Sequence, residues 1–216
     1  MSSDQETRGD GGGSKGIVLV LSGPSGVGKT TVYRQFMTQC PEVRFSVSCT
    51  TRAPRAGEVN GEDYHFLERD DFLRRAESGE FLEHAEVHGN LYGTLRAAVE
   101  NEVQAGRDVL LDIDVQGARL LRESAAGTPV AGALVFVFVG PPSLPVIEQR
   151  LRGRGSDAEN VIQRRLENAK AELGAWCEYD YLVVNDILGD AVAELAAVRI
   201  AARCSTLRRG APWTRD

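Results

Sequence analysis

Ile17-Val18-Leu19-Val20-Leu21-Ser22-Gly23-Pro24-Ser25-Gly26-Val27-Gly28-Lys29-Thr30 joins a continuous aliphatic run to a glycine-rich octet, and a helical pattern follows over 31–39. A short unbroken run of β-branched and aliphatic residues reads as a strand buried on both faces of a parallel sheet. The octet Gly23 to Thr30 fits G-x-x-x-x-G-K-S/T, and its place between strand and helix is the context that gives the motif meaning. Glycines without Cβ let successive backbone N–H groups turn inward around phosphate oxygens, and the following helix presents its positive end. Gly23, Pro24, Ser25, Gly26, Val27, Gly28, Lys29 and Thr30 are therefore expected to bind a nucleoside triphosphate. Lys29 would reach the β- and γ-phosphates as a mobile charge, and the Thr30 hydroxyl would be one ligand of a bridging Mg²⁺.

Two later runs match the first strand, at 109–113 and 133–139, with a weaker fourth at 181–184. Helical patterns lie between and after them, at 95–105, 144–151, 159–173 and 190–203. Alternation of strand and helix predicts an α/β fold, a parallel sheet flanked by helices. The rhythm breaks over 46–94, a segment rich in Arg, Gly, Glu and aromatics with short alternating stretches such as Phe45-Ser46-Val47-Ser48, which reads as an inserted lobe. The expected organisation is a polar tail over 1–15, a domain over 16–207 with its core in 16–45 and 95–207, and a loose tail over 208–216.

The bulk properties narrow the function classes. The chain has 216 residues, 42% of them hydrophobic and 26% charged, enough to bury a substantial core. A formal charge of −6 argues against a generic nucleic-acid or anionic-membrane binder, which needs a surplus of Lys and Arg to replace counterions. Cys40, Cys49, Cys177 and Cys204 form no C-x-x-C pair, so reduced thiols in a cytoplasmic protein are expected. No signal peptide and no stretch of about 18 apolar residues is read. His84 and His88 have the spacing of metal ligands on a helix, but Gly89 and Tyr92 nearby point to strand or loop.

A second anion site is legible inside the lobe. Arg52 and Arg55 can each offer a fork of donors to phosphate oxygens, Ser48 and Tyr64 add neutral donors, and Glu58 can hold one guanidinium in place. Pro54 and Gly57 restrict the shape of this stretch. Asp112 and Asp114 stand two apart at the end of a predicted strand, on one face, where ligands of such sheets bind. They would point into the cleft; capping of the helix begun by Val115 is the alternative use of these carboxylates. Arg150, Arg152, Arg154, Arg164 and Arg165 flank the turn Gly153-Arg154-Gly155-Ser156-Asp157, which reads as a hinged lid over 150–165. A salt-bridged helix surface is the preferred reading for Arg152 and Arg164.

Ser48 to Phe66, with Thr50-Thr51-Arg52, Pro54-Arg55, Gly57-Glu58 and Asp63-Tyr64, resembles the signature of the guanylate kinase family that follows its phosphate loop. The resemblance continues through Gly79 to Glu83, Gly89 to Thr94, Leu111 to Gly117, Pro141-Pro142-Ser143, Arg150 to Gly155 and Val184-Asn185-Asp186. It implies a nucleoside monophosphate kinase fold with a GMP-binding lobe and a lid, and direct transfer of the γ-phosphoryl group of Mg-ATP to GMP and dGMP. By the same resemblance Ser48, Arg52, Arg55, Tyr64 and Tyr92 would hold the GMP phosphate, and Glu83, Thr94 and Asp114 would surround the guanine. The chemistry agrees, because guanine N1 and N2 are donors that one carboxylate can accept together, whereas adenine offers an acceptor at N1. Asp112 would face the water shell of Mg²⁺. Arg154 and Arg165 would be the lid arginines, Arg150 a further ATP contact, and Asn185 part of the adenine-side loop. A guanylate-kinase-like interaction module without turnover would predict a damaged phosphate loop. A kinase of the same fold with another acceptor would predict a different set at Glu83, Thr94 and Asp114.

Overall fold

The computed structural model describes residues 15–87, 89–153, 159–206 and 208. Both expected tails lie outside these residues, apart from Lys15 and Arg208. Strand β1 (Val18–Ser22) is buried along its whole length and forms the middle of a five-stranded parallel sheet. Its neighbours are β7 (Val109–Asp112), in register Val18 to Val109, and β8 (Leu134–Gly140), in register Val18 to Leu134. β9 (Tyr181–Val184) extends the sheet beyond β8, and β2 (Arg44–Phe45) extends it beyond β7, giving the order β2-β7-β1-β8-β9.

Side chains alternate across this sheet, so each face has its own core. Ile17, Leu19 and Leu21 pack with Val32 and Phe36 of α1 (Lys29–Gln39) and with Val192 and Leu195 of α7 (Leu188–Cys204). Val18 and Val20 face the other way, onto Val99 and Val103 of α3 (Arg96–Gln104) and Leu121 of α4 (Val115–Ser124). Each fully buried aliphatic side chain contributes about 1.5–3 kcal/mol relative to exposure. Such burial on both faces is why the aliphatic run behaves as an interior strand.

The break in rhythm corresponds to a second, four-stranded sheet of order β4-β3-β6-β5. It comprises β3 (Cys49–Thr50), β4 (His65–Phe66), β5 (Phe81–Val87) and β6 (Asn90–Leu95), with α2 (Arg69–Glu77) lying on it. Phe72 of α2 stacks on Phe81 at 4.5 Å between ring centroids, and both are buried. The alternation at 45–48 does not form a strand. Phe45 completes the core edge, Ser46 donates its N–H to the Leu110 carbonyl at 3.0 Å, and residues 46–48 lead from one sheet to the other. His84 is an exposed residue on β5, so the helical spacing that would pair it with His88 does not arise; His88 itself lies outside the described residues.

At the opposite end of the main sheet from the phosphate loop, a buried carboxylate ties the last helix to the first strand. Asp108 accepts from the Ile17 N–H at 3.0 Å and from Arg199 at 2.7 Å, and also pairs with Arg203. Its side chain is fully buried, so removing the charge leaves Arg203 without this partner and Arg199 with only Glu42 of its two carboxylates. Asp108→Asn is expected to destabilise the fold by about 3–5 kcal/mol while leaving kcat unchanged below the melting range. A denaturation midpoint equal to wild type would remove Asp108 as the anchor of α7.

Candidate functional site

The phosphate loop runs from the end of β1 into α1 at the carboxyl edge of the sheet. There β1 sits between strands reached on opposite sides, the crevice where ligands of open α/β sheets bind. Gly23 passes so close to β8 that a Cβ would stand 2.2 Å from the Val139 carbonyl oxygen. Gly28 is the N-cap of α1 with φ 92°, a left-handed conformation open to glycine, and no side chain caps the helix. The first-turn N–H groups are thus left without a side-chain oxygen, as an anion site requires.

The loop is braced from behind. The Val27 carbonyl accepts from Arg150 at 2.9 Å and from Asn185 Nδ2 at 2.8 Å, and Arg150 also donates to the Asn185 carbonyl at 2.9 Å. The two residues expected on the ATP side therefore act here on the loop backbone. Lys29 reaches back to the Gly23 carbonyl at 2.9 Å and stands 3.8 Å from Asp112. Burial at the floor of the crevice raises the Asp112 pKa above the usual carboxylate range, with Lys29 opposing and Asp114 adding to the rise.

A cavity of about 350 Å³ opens beside the loop and is lined by Gly23, Ser25 and Lys29 on one side and by Ser48, Arg55, Tyr64, Glu83 and Tyr92 on the other. Asp112, Asp114, Arg165 and Glu172 also border it. A smaller cavity of about 180 Å³ shares Ser48, Arg55, Tyr64 and Asp112 with the first and adds Thr30 and Glu58. Residues expected at both anion sites thus border one cavity, Lys29 from one and Arg55 from the other, although Arg52 lines neither cavity.

On the lobe side, Glu58 holds the Arg52 guanidinium through both carboxylate oxygens at 2.8 and 2.9 Å, and also accepts from the Arg55 N–H at 2.7 Å. The hydrogen bond from Arg52 lowers the Glu58 pKa below its ordinary value. Arg52 lies over the Tyr64 ring at 5.4 Å, and Tyr64 meets Tyr92 edge-on at 6.1 Å. Burial pushes the Tyr64 hydroxyl up to about 12, so it stays a neutral donor.

Deeper in the cavity, the β5–β6 pairing sets Glu83 opposite Thr94, both buried. Thr94 Oγ1 lies 2.6 Å from Glu83 Oε1. A hydroxyl has one proton, so a Thr94 engaged this way orients Glu83 instead of donating elsewhere. Burial raises the Glu83 pKa to about 7. Asp114 does cap α4, accepting from the Gly117 N–H at 2.7 Å, and it borders the cavity as well. Both sequence readings of that carboxylate hold together.

The sequence model of the guanylate kinase family matches residues 15–201. The chain belongs to the guanylate kinase family. It is 47% identical to a guanylate kinase of Symbiobacterium thermophilum over 91% of this chain and 90% of that one. It is 46% identical to that of Maricaulis maris over 95% and 91%. In three dimensions it is similar to the crystal structure of a guanylate kinase from Anaplasma phagocytophilum, with TM-score 0.73, 36% identity and 90% of both chains covered.

Of the two arginines expected on this family's lid, Arg165 borders the cavity from α6 (Glu159–Leu173), whereas Arg154 lies outside the described residues. Arg152 is paired with Glu148 and Glu159, the surface role preferred for it. Glu172 was missed. Its Oε2 accepts from the Ser25 N–H at 3.3 Å, at the mouth of the phosphate loop. The signal was available, since Arg165 and Glu172 are seven residues apart and so share one face of a helix.

Proposed function

We propose that the protein transfers the γ-phosphoryl group of Mg-ATP to GMP, giving ADP and GDP. dGMP serves as a second acceptor, because the assigned contacts go to phosphate and base. The observation that carries this reading is the single cavity bordered both by Lys29 of the phosphate loop and by Arg55 and Glu83 of the lobe. The loop and Lys29 hold the triphosphate. Ser48, Arg52, Arg55, Tyr64 and Tyr92 hold the acceptor phosphate, with Glu58 fixing Arg52. Glu83 accepts from guanine N1 and N2, with Thr94 orienting it and Asp114 beside it.

Thr30 and Asp112 border the same smaller cavity and offer the hard oxygen atoms that would hold Mg²⁺, the Thr30 hydroxyl directly and the Asp112 carboxylate through the water shell. When bound there, Mg²⁺ would neutralise phosphate charge during the transfer. Transfer is direct: an oxygen of the GMP phosphate forms the new bond to the γ-phosphorus, and the electron pair of the broken bond stays on the β-phosphate of ADP. A phosphate oxygen is already a competent nucleophile, so no general base is required. The chain's part is alignment, exclusion of water and placement of positive charge, supplied by Lys29, Arg52, Arg165 and Arg154. The intact phosphate loop and lobe arginines speak against a non-catalytic interaction module. Cys40, Cys49, Cys177 and Cys204 are not joined in disulfides, which favours a reducing compartment, the cytoplasm, and among the described residues no helix is long and apolar enough to cross a membrane.

The test is ADP release measured with GMP, dGMP, AMP, CMP, UMP and dTMP in turn. Preference for GMP and dGMP is the expected result, and preference for AMP or a pyrimidine nucleotide would sink the assignment. Within that assay Arg165→Ala should lower kcat by roughly 10²-fold with the KM for GMP little changed. A matching rise in KM for GMP would move Arg165 from the transferring group to the acceptor.

A further inference from the structure

Gly117 lies in the first turn of α4, buried, with its N–H on the Asp114 carboxylate. Its φ is not among the positive values found at nine other glycines of the described residues, so the backbone does not demand glycine there. A helix interior disfavours glycine. What position 117 supplies is room. A Cβ would stand 3.1 Å from Glu83 Oε2 and 3.2 Å from Asp114 Oδ1, both closer than ordinary carbon-oxygen packing. Neither carboxylate has slack to retreat, because Thr94 holds Glu83 through Oε1 and the Gly117 N–H holds Asp114.

We propose that Gly117 is a positioning residue that sets acceptor-base specificity, its missing side chain leaving Glu83 Oε2 free to meet the base while its N–H fixes Asp114 alongside. The inference rests on the reading of Glu83 as the group that recognises guanine. Thr94 donates to Oε1 of Glu83, and of the two oxygens that would meet guanine N1 and N2 it is Oε2 that a side chain at 117 would press. The approach joins the two sheets as well: α4 follows β7 of the main sheet, and its first turn abuts β5 of the second. A shift of a few tenths of an ångström there displaces the base-reading carboxylate relative to Lys29 and the loop.

The experiment compares Gly117→Ala with Gly189→Ala, a first-turn helical glycine of α7 that has nothing within 4 Å of a built Cβ. Gly117→Ala should lower Tm only modestly, because alanine's preference for the helix offsets part of the crowding at the two carboxylates, and leave the KM for ATP within about twofold. Its kcat/KM for GMP should fall about tenfold while that for AMP does not, so the GMP-to-AMP ratio falls about tenfold. Gly189→Ala should leave every kinetic constant at the wild-type value. In a Glu83→Asp background, where the shorter side chain withdraws from position 117, adding Gly117→Ala should cost less than about threefold. Wild-type use of GMP with an unchanged Gly117→Ala variant overturns this inference alone, as does an equal loss toward ATP and GMP or an undiminished effect in the Glu83→Asp background. A wild-type enzyme that does not phosphorylate GMP overturns the underlying reading and this inference with it.

Discussion

Lys29→Ala is expected to lower kcat by roughly 10²–10³-fold, the loss typical of one preorganised donor aimed at developing negative charge. The ammonium stands where α1 leaves the phosphate loop, 2.9 Å from the Gly23 carbonyl and 3.8 Å from Asp112. It is thereby held at the loop mouth before a nucleotide arrives and can follow the transferring group by rotating its flexible stem. The substitution should spare the fold, because α1 is anchored by Val32 and Phe36, both fully buried. The KM for GMP should change little, since the acceptor phosphate is assigned to arginines and hydroxyls of the other sheet. Single-turnover measurements with saturating ATP and GMP isolate the chemical step. A Lys29→Ala enzyme with near-normal kcat would falsify the role.

Glu83→Gln should raise the KM for GMP by roughly 10²-fold, because an amide offers one acceptor oxygen and sets an N–H₂ group against a guanine donor. The same carboxyl makes GMP binding pH-dependent. Only its ionised form accepts from both guanine donors, and its pKa is raised to about 7. The wild-type KM for GMP should therefore rise as pH falls from 8 to 6, and the Glu83 contribution to that slope should vanish in Glu83→Gln. Stability runs the other way. A folded-state pKa above the unfolded value near 4.5 means that burying Glu83 costs nothing at pH 4 and destabilises progressively as pH climbs through 7. Glu83→Gln should therefore raise Tm at pH 8 relative to wild type and lose that advantage near pH 4. A pH-independent difference in Tm, or an unchanged KM for GMP, would overturn the assignment.

The main sheet was legible because its three central strands, β1, β7 and β8, are buried on both faces and carry little but Val, Leu and Phe. The expected helix over 159–173 coincides with α6 for the same kind of reason, a sustained helical period. Strands β2, β3 and β4 have two residues each, too few to show a period, and they owe their pairing to partners distant in sequence. β2, β3 and β4 were accordingly not resolved from the sequence, and in the longer β5 and β6 the buried polar Glu83 and Thr94 interrupt the apolar pattern. At the site, residue types announced the cradles: glycines and a lysine for one, paired arginines with a nearby carboxylate for the other. What the types could not reveal is how donors are allocated. Arg150 and Asn185 read as ligand contacts and also serve the Val27 carbonyl; Thr94 reads as one of the residues around a guanine and meets Glu83. Such sharing depends on side chains separated by up to 158 positions and leaves no local pattern.

The double hold on Val27 bears on the cost of capturing a nucleotide. A glycine-rich loop free to wander would have to surrender that freedom on each encounter, and the loss would be subtracted from affinity. With its outward carbonyl gripped by an arginine and an amide, the loop is already in its working shape. Triphosphate capture is then expected to spend little on ordering the chain, and damage at position 150 or 185 to weaken capture by letting the loop wander.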